Sequence, residues 1–192
     1  DVAATRHAPE LIKAGAKAGV EVFVGLELMT DRGSMLGFAP SIDRFYLGEE
    51  WRQLTTMGNL RGARFASLFD SIGGATIACA PYESGAGGDR IFSVDGIHGV
   101  EAWVPRISHA RNAMAVEAAA AMGIGTCGGT DYRGGDLGAI GTGATLLGRQ
   151  VSSQSEFVDL LRNDDFWAVA IGVDIAEPKR RPERSGNGRD RD

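Results

Sequence analysis

Residues 96–133 read GIHGVEAWVPRISHARNAMAVEAAAAMGIGTCGGTDYR, and this stretch decides the fold class. Residues 99–104 form an apolar run of strand character, closed by Pro105. An alanine-rich helix is expected over residues 108–122, with Gly123 as its stop. Residues 124–127 are a second apolar run that empties into a polar, glycine-dense loop at 128–141. Strand, helix and strand in that order imply a parallel pair joined by a right-handed crossover.

The same alternation extends in both directions. Upstream, residues 2–5 are a short apolar stub and residues 9–18 a helix with Pro9 in its first turn. Gly19 stops that helix before a β-branched run at 20–28, typical of a buried parallel strand. Residues 34–38 read as another strand, 49–72 as a stretch of helical spacing, and 75–79 as a strand before Pro81. Downstream, strands are expected at 144–147 and 166–171, around a helix at 153–162. Ser153 and Glu156 have the spacing of a capping box there. An open doubly wound sheet and a barrel both satisfy the pattern.

The chain has 192 residues, 43% of them hydrophobic, which is enough for one core and one domain over residues 1–172. From Glu177 onward no large apolar residue occurs, and a charged, disordered tail is expected over 173–192. The formal charge of −5, with 20 Lys+Arg against 25 Asp+Glu, argues against a nucleic-acid surface. No apolar run is long enough to span a bilayer, so a cytoplasmic protein is the expectation. Cys79 and Cys127 read as buried thiols, and 3 His are too few for a histidine-rich metal cluster. The chain opens at Asp1 within an apolar run, as a fragment with a missing upstream part would. P-loop, His-Glu-x-x-His and Gly-x-Ser-x-Gly motifs are absent.

In parallel α/β folds chemistry collects where strands run out into loops. That rule selects Thr5-Arg6-His7, Gly25-Leu26-Glu27, Ala80-Pro81-Tyr82-Glu83 and Gly128-Gly129-Thr130-Asp131-Tyr132-Arg133. An imidazole and two carboxylates on one rim, His7, Glu27 and Asp131, suit a divalent ion. Each has a plainer alternative: His7 as a surface residue before a helix, Asp131 as the side chain of an Asx turn. Glu27 ends an apolar run, and a carboxylate placed there needs a partner.

Taken in order, these segments resemble the PHP (polymerase and histidinol phosphatase) superfamily of metal-dependent phosphoesterases. Thr5-Arg6-His7 is similar to its Thr-Asp-His strand end, and Gly25-Leu26-Glu27 to its Gly-x-Glu segment. Gly73-Gly74 followed by Cys79-Ala80-Pro81-Tyr82 resembles its Gly-Gly…Ala-His-Pro-Tyr stretch. Gly96–Glu101 and Arg111-Asn112 fit the strand and helix that come next, and Gly128–Arg133 with Asp136-Leu137-Gly138 resembles Gly-Ser-Asp-x-His…Leu-Gly. The resemblance implies a distorted (β/α)7 TIM-like barrel, truncated at its amino end, with a metal site at the carboxyl ends of the strands. It also implies hydrolysis of a phosphate ester by metal-activated water.

Carried over position by position, the surviving ligands are His7, Glu27 and Asp131. Ala80 stands for one family histidine and Arg133 for another. Arg6 replaces an aspartate, Ser34 or Met35 lies where a further histidine would be, and a His-x-His pair would precede Asp1. Three ligands can hold one ion of Mn, Fe or Zn, or the site holds none. Arg133, Arg6 and Tyr132 are expected to orient the phosphate. The alternative is a catalytically inactive domain that binds a small anionic ligand or a protein partner, with the two arginines supplying positive charge.

Overall fold

The computed structural model describes residues 7–41, 60–132, 134, 135 and 137–172. Arg6, Arg133 and the expected charged tail lie outside them, as do residues 42–59. The described elements begin with helix α1 (Ala8–Ala18), strands β1 (Leu26–Thr30) and β2 (Gly33–Phe38), helix α2 (Gly62–Ser71) and strand β3 (Ala75–Ala78). Strand β4 (Gly99–Trp103), helix α3 (His109–Met122) and strand β5 (Gly125–Gly128) follow. Strand β6 (Gly143–Leu147), helix α4 (Gln154–Arg162) and strand β7 (Phe166–Ala170) complete the series.

Glycine punctuation works as the sequence implies for two helices. Gly19 (φ 71°) and Gly123 (φ 67°) close α1 and α3 in the left-handed conformation that costs glycine nothing. Helix α4 is capped by Ser153, whose Oγ accepts the Glu156 N–H at 3.3 Å. The Glu156 carboxylate, however, accepts from Ser152 N at 2.8 Å and not from Ser153 N, so the reciprocal half of the expected capping box is not formed.

The barrel is where expectation and structure part. Strands β1 to β5 form one five-stranded sheet in sequence order, and β6 and β7 form a separate two-stranded sheet. Only β3–β4 and β4–β5 are parallel; β1–β2, β2–β3 and β6–β7 are antiparallel. No closed (β/α)7 barrel is present among the described residues. One reason is local. The first two strands are joined by Asp31-Arg32 alone, with Thr30 paired to Gly33, whereas a parallel pair needs a crossover of roughly a dozen residues. Thr30 Oγ1 fastens this hairpin by donating to Gly33 O at 2.7 Å and accepting from Arg32 N at 3.0 Å. The run at 20–28, expected as a buried parallel strand, therefore contributes only its end to a hairpin.

At the far edge, the second sheet hangs on β5 through side chains. Thr145 Oγ1 donates to Gly128 O at 2.9 Å and accepts from Gly128 N at 3.1 Å, while Ala168 N donates to Thr126 Oγ1 at 3.3 Å. Threonine hydroxyls stand here where a continuous barrel would have a backbone ladder.

The five-stranded sheet is covered on both faces. Leu26, Met35, Ala78, Val100 and Ala102 pack with Phe65 and Phe69 of α2 and with Ala115, Ala118 and Ala119 of α3. The opposite face buries Ala75 and Ile77 with Val158, Leu160 and Leu161 of α4 and with Phe166 of β7. Phe166 packs against two glycines: a Cβ on Gly99 would come within 2.6 Å of its ring, and one on Gly125 within 2.9 Å. This ring and the threonine hydrogen bonds together key the second sheet to the first. Phe166→Ala is expected to cost about 3–5 kcal/mol by equilibrium urea unfolding, as for other buried aromatic deletions.

Candidate active site

Where the parallel strands β3, β4 and β5 run out into loops, a cavity of about 300 Å³ opens on the face that carries Phe166. Strand register places its contents. Glu27 is opposite Leu36, Leu36 opposite Ile77, and Ile77 opposite Gly99, so all share one face. Two residues further along β4 is Glu101, opposite Cys127. Glu27, Ser34, Cys79, Ala80, Glu83, Glu101, Arg106 and Asp131 all line the cavity.

Four of those side chains are carboxylic acids. Glu101 interrupts the buried strand β4, and its pKa is pushed up to about 7. Burial is the main cause, followed by the negative charges of Glu27 and Asp131; Arg106 and the Ala80 N–H pull the other way. Ala80 reaches Glu101 from a left-handed backbone (φ 35°), and Asp131 is left-handed as well (φ 46°). Such conformations are uncommon for residues other than glycine and concentrate at functional sites. Ser34 donates its hydroxyl to Glu27.

Arg106 sits in the turn between β4 and α3. Its Nε donates to Asp131 Oδ2 at 2.7 Å, and Nη2 lies 2.6 Å from the same oxygen. Nη2 also donates to Glu83 Oε2 at 3.0 Å and Nη1 to Glu83 Oε1. These contacts, the Glu83 hydrogen bond first, raise the pKa of the guanidinium still further. Asn112 of α3 fixes the turn, its Nδ2 donating to Val104 O at 3.1 Å and its Oδ1 accepting from Val104 N at 3.4 Å.

The thiols are inert. Burial, with Glu101 next, holds both Cys79 and Cys127 well above the usual thiol range, so neither offers a thiolate nucleophile at neutral pH. His98 lies at the other end of β4, accepting from Thr76 N at 3.2 Å, and burial lowers its pKa. His109 stands edge-on to Trp103, ring centroids 6.1 Å apart.

Of the residues selected from sequence, Glu27 and Asp131 share the cavity. His7 precedes α1 with its side chain 68% exposed, its Nδ1 3.4 Å from Glu10 Oε2, and it is not among the residues lining the cavity. Tyr132 is adjacent to Asp131 in sequence and 41% exposed. Glu101 and Arg106 went unselected. Yet Glu101 carries the same signal as Glu27, a carboxylate within an apolar strand; Arg106 has none in the sequence, since its role arises from two acids brought in from other loops.

The donor chemistry is carboxylate oxygen, with no imidazole among the described lining residues. Such donors suit a hard divalent ion of the magnesium or manganese kind. Among the described residues, no three His, Cys, Asp or Glu side chains are grouped closely enough to hold a metal ion. The donors match a cation in charge and type, then, without being drawn to one point. No described helix is long and apolar enough to cross a membrane.

Neither a protein-family model nor a curated protein matches the chain. Among solved structures, the fold is similar to that of a candidate metal-dependent phosphoesterase from Bifidobacterium adolescentis. The TM-score is 0.53 at 13% identity, over 68% of this chain and 74% of that one. A likeness at this identity is one of fold.

Glu101 makes stability depend on pH. Its folded pKa of about 7 lies above the ordinary 4.5, so the folded chain holds the proton more tightly between those values. In that window stability falls as pH rises, by up to about 1.4 kcal/mol per pH unit, and levels off above pH 7. Urea unfolding with chelator present is expected to show this decline. Glu101→Gln should remove most of it and make the chain more stable than the native one at pH 8.

Proposed function

We propose that the chain is a phosphoesterase-type hydrolase whose cavity accepts a hard divalent cation and, with it, a phosphate ester. The observation that carries this reading is the charge of the cavity: Glu27, Glu83, Glu101 and Asp131 face one described guanidinium, Arg106. A phosphate monoester approaching that excess of negative charge is repelled unless a cation comes with it. The similarity in fold to a candidate metal-dependent phosphoesterase supports the same class.

Glu27, Glu101 and Asp131 are the proposed ligands, Glu101 taking the place first given to His7. A divalent ion bound there supplies a polarised phosphoryl oxygen and a water of lowered pKa. The chain's own groups do the rest. Ser34 holds Glu27, and the Ala80 N–H holds Glu101. Metal-free, Glu101 holds its proton up to about pH 7, and it gives that proton up on becoming a ligand. Arg6, Arg133 and Tyr132 are proposed to orient the phosphate, of which only Tyr132 lies within the described residues.

A second reading rests on Ala80 and Arg106. An alanine stands where the resembling family has a histidine, and a guanidinium already neutralises two acids of the cavity. On those observations the domain is catalytically silent and serves a partner.

Turnover separates the two. Aryl phosphate mono- and diesters are expected to be hydrolysed with Mn²⁺ or Mg²⁺ and not with chelator. Glu27→Gln should lower metal affinity by at least the roughly 10–100-fold that loss of a mere outer-shell partner costs. No hydrolysis with any divalent ion, or an unaltered Glu27→Gln enzyme, favours the silent domain.

A further inference from the structure

Within the five-stranded sheet the β3–β4 ladder is the shortest, pairing only Ile77 with Gly99 and Ala78 with Val100. It is also the seam between the antiparallel half of the sheet and the parallel half. The cavity is built across it: Glu27, Ser34 and Cys79 come from one side, Glu101 and Asp131 from the other. At the end of the strands away from the cavity, one side chain prolongs the ladder. Cys79 N donates to Ser34 O, so alternate residues of β3 bond to β2, and the N–H of Thr76 is left facing β4. His98, immediately before β4, meets it there. Its backbone N–H donates to Thr76 O at 2.8 Å, and its ring Nδ1 accepts from Thr76 N at 3.2 Å. Thr76 is fully buried, so its N–H has no water to turn to.

We infer that His98 is a pH-sensitive fastener of this seam, whose protonation frees the Thr76 N–H and opens β3 from β4 at their amino ends. A backbone N–H can only donate, so Nδ1 accepts, and the ring is neutral with its proton on Nε2. A second proton turns Nδ1 into a donor, and two donors then face each other. The charged groups that act on the ring are Arg162 of α4 and Asp70 of α2. Arg162 donates to Asp70 Oδ1 at 2.9 Å and also to Gly74 O, which holds both charges at this end of the sheet. Burial first, and then Arg162, lowers the pKa of the ring from the ordinary 6.5, while Asp70 and the Gly96 backbone oppose them. The folded chain therefore binds this proton less tightly than the unfolded one. The stabilising effect of the neutral ring is complete above pH 6.5 and declines below it, and the bond opens at the lower pH where the folded ring titrates. None of this depends on a metal in the cavity.

The test is the hydrogen-exchange protection of the Thr76 amide, followed by NMR on the full chain together with the ring ¹⁵N signals of His98. As the ring takes its second proton below pH 6.5, Thr76 protection is expected to fall roughly 5–150-fold, the loss of one buried hydrogen-bond partner. His98→Asn offers a carbonyl oxygen in place of Nδ1 that does not titrate, and should keep Thr76 protected over the same range. Protection that is unchanged while the native ring titrates, or lost equally in His98→Asn, overturns the inference. Comparing the two chains also cancels Glu101, whose proton acts on global stability in the opposite sense. Should the native chain unfold before its ring titrates, the acid-unfolding midpoints decide. A lower midpoint pH in His98→Asn upholds the fastener, and an equal or higher one overturns it. Should His98→Asn fail to fold, the native Thr76 titration decides alone.

Discussion

A carboxylic acid buried in the middle of a strand, close to two other acids, is the constraint on which the site depends. Glu101 is flanked on one side by β3 and on the other by β5, and Glu27 and Asp131 both push its proton affinity upward. Desolvation of a charge without a full partner is costly. The surrounding structure answers with what it has: the N–H of a left-handed Ala80, a guanidinium fixed by Asn112 and a proton held near neutrality. Each answer is partial. A divalent cation would meet the same demand in full, which is the physical case for a metal.

Among the described residues, the charge of the cavity suits a cation better than an anion. With Arg6 and Arg133 considered from the sequence alone, an arginine-lined anion pocket was one way to account for the missing histidines. The described cavity is instead dominated by carboxylates, and its single described arginine is spoken for by Glu83 and Asp131. The similarity to a candidate metal-dependent phosphoesterase is one of fold.

Much of the local structure was legible in the sequence, because glycine stops, a serine cap and apolar runs are local signals. The unit from β4 through α3 to β5 came out nearly as expected, and so did the placing of Asp131 beyond the last of those strands. Strand direction was less legible. Alternation of strand-like and helix-like runs suggests parallel pairing, but Thr30-Asp31-Arg32-Gly33 is a two-residue hairpin link, and short links make antiparallel neighbours. Barrel closure was not legible at all, since it depends on how β5 meets the second sheet, and threonine side chains make those contacts to β6 and β7. In the site, Asp131 lies beyond a strand end as the rule expects, whereas Glu27, selected by the same rule, stands second in β1 near its start. His7 fitted that rule too, yet its imidazole faces Glu10 and solvent. Glu101 was overlooked because it sits inside its strand rather than at the end.

The most direct measurement is the pKa of Glu101, read from its side-chain carboxyl ¹³C shift in an NMR titration with chelator and again with Mg²⁺. A titration near 7 is expected in chelator, with a marked drop once Mg²⁺ is present, because the ion replaces the proton among the crowded carboxylates. A Glu101 that titrates near the ordinary 4.5 in both solutions would contradict it.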